Sequence, residues 1–109
     1  MSSSYIQVVT SIDSKEGADA IAQATVEERL ASCAQIIGPI DSIYWWQGKM
    51  ERAKEWLCVI KSEQRMFSEL NSLIERLHPY EVPEVLAVPV IKGNRHYLEW
   101  LSSELKGGS

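Results

Sequence analysis

Between Ala31 and Ser62 apolar side chains occupy neighbouring positions, and no other stretch restricts the fold as strongly. The segment reads as two long strands joined by a turn at Gln47-Gly48-Lys49. The first opens on Cys33-Ala34-Gln35-Ile36-Ile37, is interrupted at Gly38-Pro39, and continues through Ile40 and Ile43-Tyr44-Trp45-Trp46. Proline cannot donate to a strand ladder, so Gly38-Pro39 predicts a bend or bulge. The return strand runs from Glu55 to Ser62, centred on Trp56-Leu57-Cys58-Val59-Ile60. Successive residues of a strand point to opposite faces. Trp45 and Trp46 therefore oppose one another, as do Trp56 and Leu57, and both faces of the hairpin are apolar. Fully extended, Cys33 to Trp46 would span about 45 Å at ~3.3 Å per residue. A compact domain of this length is only roughly 34 Å across. Helices can cover one face, and the other calls for partner subunits.

The flanking segments supply the rest of the architecture. Tyr5 to Ile12, with Val8-Val9-Thr10, has strand character. Asp13 or Ser14 can cap a following helix, with Glu16 in its first turn. Ala18, Ala22, Val26 and Leu30 recur at i+4 with Ile21 alongside. Ser62 is a candidate cap for a second helix, with Glu63 in its first turn and Met66, Leu70, Leu73 and Leu77 on its apolar stripe. Val85 to Ile91 reads as a strand that Pro89 assigns to an edge. Tyr97, Leu98, Trp100, Leu101 and Leu105 form a terminal amphipathic helix after a turn at Lys92-Gly93-Asn94-Arg95. The order β-α-β-β-α-β-α predicts an α+β fold: a ferredoxin-like sandwich with an antiparallel sheet and an added C-terminal helix.

Composition narrows the classes. The 109 residues make one domain, 1–109, with flexible ends at Ser2–Ser4 and Gly107–Ser109. The net charge of −4 and the scattered Lys and Arg argue against a nucleic-acid footprint or a basic membrane patch. No apolar run approaches the ~20 residues of a membrane span. The N-terminal residues carry no signal-peptide pattern, which predicts the cytoplasm and reduced thiols at Cys33 and Cys58. No Gly-x-Ser-x-Gly elbow, phosphate-binding glycine loop or His-Glu-x-x-His helix occurs, so nothing points to an enzyme or to an organic cofactor.

The connector His78-Pro79-Tyr80-Glu81-Val82-Pro83-Glu84 gathers an imidazole, a phenol and two carboxylates. Its prolines fix φ and force the chain out of the α region. It reads either as a site or as a helix stop whose polar groups are solvated or bonded to backbone.

Taken with Glu27-Glu28-Arg29-Leu30-Ala31-Ser32-Cys33, Ser42-Ile43-Tyr44-Trp45-Trp46-Gln47-Gly48-Lys49, Ile60-Lys61-Ser62 and Gly93-Asn94-Arg95-His96-Tyr97-Leu98-Glu99-Trp100, the connector carries a family likeness. The chain resembles the CutA family of divalent-cation tolerance proteins from Tyr5 to Leu105. The resemblance implies a ferredoxin-like fold and a tight cytoplasmic homotrimer whose long hairpins extend sheets between subunits, similar to the nitrogen-regulatory PII signalling proteins. It also implies tolerance to copper and other divalent metals, with copper binding in some members. In the copper pattern of those members a cysteine ends the first strand and two adjacent histidines precede the Pro-Tyr pair. This chain has Thr10 at the first position and Leu77 and His78 at the other two, so one ligand of three is retained.

Copper prefers imidazole and thiolate, which makes His78 and Cys33 the candidate metal ligands, with Glu81 as an accessory oxygen donor. A lone cysteine is also a common small buried hydrophobe. Cys58 and His96 read as structural. Tyr44, Trp46, Lys61 and Tyr80 match motif positions that would line an inter-subunit pocket, and Gly48, Pro79 and Pro83 would shape it. Such a pocket suggests the alternative of a PII-like sensor or scaffold, with a small anionic ligand paired to Lys61 or a protein partner.

Overall fold

The computed structural model describes residues 5–108, so the expectations for Ser2–Ser4 and for Ser109 fall outside the described residues. Within them, four strands and three helices follow in the predicted order: β1 Tyr5–Ile12, α1 Lys15–Glu27, β2 Cys33–Trp46, β3 Lys49–Glu63, α2 Phe67–Leu77, β4 Leu86–Pro89 and α3 Arg95–Glu104. The sheet is antiparallel throughout, ordered β2-β3-β1-β4, which is the ferredoxin-like arrangement. The hairpin sets the shape: the molecule measures 47 × 25 × 22 Å.

The alternation of β1 shows which face is dry. Ile6, Val8, Thr10 and Ile12 are buried, and their β3 partners Ile60 and Cys58 are buried with them. Ala18 and Ile21 of α1, and Leu70, Leu73 and Ile74 of α2, complete this core. The other face carries Val9, Val59, Leu57, Ile37, Leu86 and Val88, side by side across all four strands by register. Of these, Ile37, Leu86 and Val88 are exposed in the single chain. On the hairpin arm Trp45, 73% exposed, Met50 and Ile43 lie on the reverse face, in phase with Cys58 and Ile60 but beyond the reach of the helices. The expectation that helices cover one face only is met.

Local chemistry explains the boundaries. The hydroxyl of Ser14, not Asp13, caps α1 by accepting from Gly17 N–H at 3.0 Å. The buried stripe of α1 is Ala18, Ile21, Ala22 and Thr25, while Val26 is half exposed. Thr25 tolerates burial because its hydroxyl donates to the Ala22 carbonyl. The β2–β3 turn needs only two residues: Gln47 and Gly48 have φ of 50° and 79°, the pattern of a type I′ turn. Lys49 already belongs to β3, which therefore starts six residues before the predicted Glu55. Charged Glu51, Arg52 and Lys54 on the exposed arm hide that start from a reading based on apolar alternation.

Ser62 does not cap the second helix. It lies within β3 and its hydroxyl donates to the Leu30 carbonyl at 2.6 Å, while a 3₁₀ turn at Gln64–Met66 leads into α2. Glu63 is also strand, and its buried carboxylate accepts from Ser102 and Arg65. Leu77 is exposed, so the α2 stripe is Leu70, Leu73 and Ile74. β4 is shorter than the predicted Val85–Ile91, and Pro89 ends it at the sheet edge. The α3 end is tied down rather than loose: Lys106 N–H donates to the Arg29 carbonyl, and the Lys106 carbonyl accepts from Arg65.

The bend at Gly38-Pro39 is a register shift between Ile37 and Ile40. Gly38 is needed there for close approach. A Cβ would lie 2.5 Å from Trp56 Cδ1 and 3.1 Å from Trp56 Cα. Gly38→Ala should therefore lower stability by about 1–3 kcal/mol through overpacking. Chemical denaturation checks this, and an unchanged midpoint would remove the close-packing account of the bulge.

Candidate functional site

The connector after α2 is built into the sheet by its own polar groups. His78 leaves the helix in extended conformation and is 8% exposed. Its Nε2–H donates to the Ser11 carbonyl at 2.7 Å, and its Nδ1 accepts from Tyr80 N–H at 3.2 Å. The second bond fixes Nδ1 as the unprotonated nitrogen. The Tyr80 ring stands edge-on to the imidazole, with centroids 4.6 Å apart. The phenol then donates to Glu55 Oε2 at 2.7 Å, and the Ser11 hydroxyl reaches Glu84 at 3.4 Å. One connector is thus fastened to both β1 and β3.

These contacts frame a cleft of about 600 Å³ on the helix-free side of the sheet. Tyr44 and Trp46 of β2 form an aromatic wall, Glu55 and Ser11 rise from the sheet, and Tyr80, Glu81 and Glu84 come from the connector. Glu55 is 5% exposed. One of its oxygens accepts from Tyr80, and among the described residues no lysine, arginine or histidine pairs with it. Among the described residues no cationic side chain lines the cleft. Burial pushes the Tyr80 phenol well above the ordinary tyrosine range, and its hydrogen bond to Glu55 and the Glu55 charge push it further.

Of the predicted pocket residues, Tyr44, Trp46 and Tyr80 meet here together with Glu81. Lys61 does not. It pairs with Gln7 and Cys33 across the sheet, and its ammonium lies 5.9 Å from the centre of the Tyr97 ring. The expected lysine for an anionic ligand is therefore absent from the cleft, and carboxylates take its place. Sequence reasoning missed Glu55 and Ser11, and had Glu84 only as one of the two carboxylates of the connector. Glu55 had a signal: it alternates in phase with the apolar pair Leu57 and Val59 that follows it.

The metal candidates do not converge within the chain. Cys33 sits beside Lys61 in register, whereas His78 is bonded at Ser11, opposite Leu57. Four residues of strand separate those levels, about 13 Å. Both His78 nitrogens are occupied, and among the described residues no three His, Cys, Asp or Glu side chains are grouped to hold a metal. Thr10, at the position where the copper pattern has a cysteine, is buried on the helix side, and its hydroxyl has no partner among the described residues. The donor set present in one chain does not fit a copper centre. Cys58 is buried with its thiol donating to the Ala18 carbonyl, and burial pushes that thiol up to about 11. His96 is exposed and lies 3.9 Å from Glu99.

Removing the Glu55 charge should ease ionisation of Tyr80. In Glu55→Gln the Tyr80 pKa should fall part of the way toward the ordinary value, since burial remains the larger cause. A spectroscopic pH titration against Tyr80→Phe reads this directly. An unchanged titration would show that the Glu55 contact does not act on the phenol.

Residues 6–104 match the family model of the CutA1 divalent ion tolerance protein. A divalent-cation tolerance protein CutA of Thermus thermophilus is 45% identical over 94 residues, covering 86% of this chain and 91% of that protein. The solved structure of a divalent cation tolerance protein from Thermus thermophilus superimposes with a TM-score of 0.91 at 42% identity, covering 93% of this chain and 98% of that one. Human protein CutA is 47% identical over 81 residues, and this chain spans 45% of its length. The structure named the periplasmic divalent cation tolerance protein CutA of Archaeoglobus fulgidus gives a TM-score of 0.89 at 31% identity, covering 92% of this chain and 97% of that one. No helix among the described residues is long and apolar enough to cross a membrane. Fold, motifs and near-complete coverage together place this chain in the CutA1 divalent ion tolerance family.

Proposed function

We propose that the chain serves tolerance toward divalent metal ions as a cytoplasmic homotrimer, with the cleft lying at the seam between copies. The family match from residue 6 to residue 104 carries the first part. The trimer is supported by the helix-free face and the exposed hairpin arm. Ile37, Leu86 and Val88 on that face, with Trp45 and Met50 on the reverse of the arm, are too apolar to be an ordinary solvated surface. Light scattering at low concentration should return three chain masses. A stable single-chain mass would overturn the trimer and the shared cleft with it.

Copper binding is the finer part of this reading, with Cys33, His78 and Glu81 as its ligands. Because His78 must give up a hydrogen bond to coordinate and Cys33 lies two strands across and about 13 Å along the sheet, a copper ion held by them needs ligands from another copy. Titration with Cu(II), and with Cu(I) under reducing conditions, should show saturable binding that His78→Ala weakens by about tenfold or more. No saturable binding in the micromolar range, or binding unchanged in His78→Ala, would overturn the copper reading.

A second reading is favoured by the cleft itself. Its size and its aromatic wall suit a small molecule, and a trimeric sensor or scaffold of the PII type is the functional class such a cleft would serve.

A further inference from the structure

Glu55 is a largely buried carboxylate with no counter-charge among the described residues. A carboxylate removed from water needs a counter-charge or a full set of hydrogen bonds. Glu55 has one hydrogen bond, from Tyr80 to Oε2, and no ion pair among the described residues. Its other oxygen receives no hydrogen bond from the described residues, and the side chain lines the cleft. Glu81 and Glu84 on the rim carry the same sign of charge, and no cationic group among the described residues lines the cleft to offset them.

We infer that this cleft is a binding site for a small organic ammonium ion, held by Glu55 at its base and by the aromatic faces of Tyr44 and Trp46. The inference rests on the small-molecule reading of the cleft and supplies its chemistry. An ammonium N–H would satisfy the second Glu55 oxygen. Aromatic faces attract cations, tryptophan most strongly, and the same rings bury the ligand's apolar body. Three further observations favour an organic cation over a bare metal. The cleft of about 600 Å³ far exceeds one ion. No metal-holding group of three donors exists among the described residues. A phenol and an indole, which form much of the wall, are poor ligands for a hard divalent cation. An anionic ligand is disfavoured by the carboxylates and by the remote position of Lys61.

The test is calorimetric titration of the full chain with benzylammonium chloride, benzyl alcohol, sodium benzoate and magnesium chloride. Benzylammonium should bind saturably and at least about tenfold more tightly than the alcohol. Glu55→Gln, whose amide oxygen still accepts from Tyr80, should weaken that binding by about tenfold or more while leaving the circular dichroism spectrum unchanged. Should that variant not fold, Glu84→Gln and Trp46→Leu must each weaken benzylammonium binding. Alcohol or benzoate binding as tightly as the ammonium would overturn the charge assignment and leave the small-molecule reading standing. No organic probe binding up to about 10 mM would overturn both. Full displacement by equimolar magnesium would reassign the cleft to metal. A crystal structure with a partner copy's lysine or arginine on Glu55 would reassign it to assembly.

Discussion

The structure depends on an antiparallel sheet that is covered on one side only. β1 and β3 bury Ile6, Val8, Ile12, Cys58 and Ile60 against two helices, and this burial supplies the core. Each fully buried aliphatic side chain stabilises by roughly 1.5–3 kcal/mol. The opposite face, with nearly as many apolar groups, contributes nothing comparable in a lone chain. That imbalance explains why the cleft lies where it does. Helix α2 stays on the covered side, but its connector must return to the sheet edge to form β4, so residues 78–84 arch beside the helix-free face. The arch brings Tyr80 over Glu55 and leaves an open cleft against the hairpin arm.

The polar groups of the connector serve first to hold it in place. His78 has the residue type of a metal ligand, yet its two nitrogens hold the arch in place. Tyr80 and Glu84 continue the same fastening to β3 and β1. The fastening also fixes the shape of the cleft before any ligand arrives, which limits the ordering cost of binding.

Much of this was legible in the sequence because strand and helix periods differ. Alternation at Tyr5–Ile12 and the two-faced run from Cys33 to Ser62 gave the sheet, and the i+4 rows gave the helices. What escaped did so for identifiable reasons. The start of β3 is charged and exposed, so alternation could not reveal it. Ser62 has the chemistry of a cap, but a carbonyl at Leu30, distant in sequence, claims its hydroxyl. Lys61 lies in a family motif, but strand alternation along β3 and the sheet register fix where it sits, and the cleft forms several residues away. Glu55 was overlooked because it follows the charged residues of the arm and gains meaning only when the connector is seen folded over it. Sequence order carries the elements; the pairing of groups across the fold depends on register.

The early turn at Gln47-Gly48 has a consequence of its own. β1 pairs with β3 only from Trp56 to Glu63, so Lys49 to Glu55 have β2 as their sole neighbour among the described strands. The outer arm is a bare two-stranded ribbon, and such ribbons are marginal in water. Backbone amides near Trp46 and Lys49 would then exchange with solvent long before those of the core if the chain stood alone. Their protection is a local gauge of whether anything clasps the arm, readable without knowing what does so.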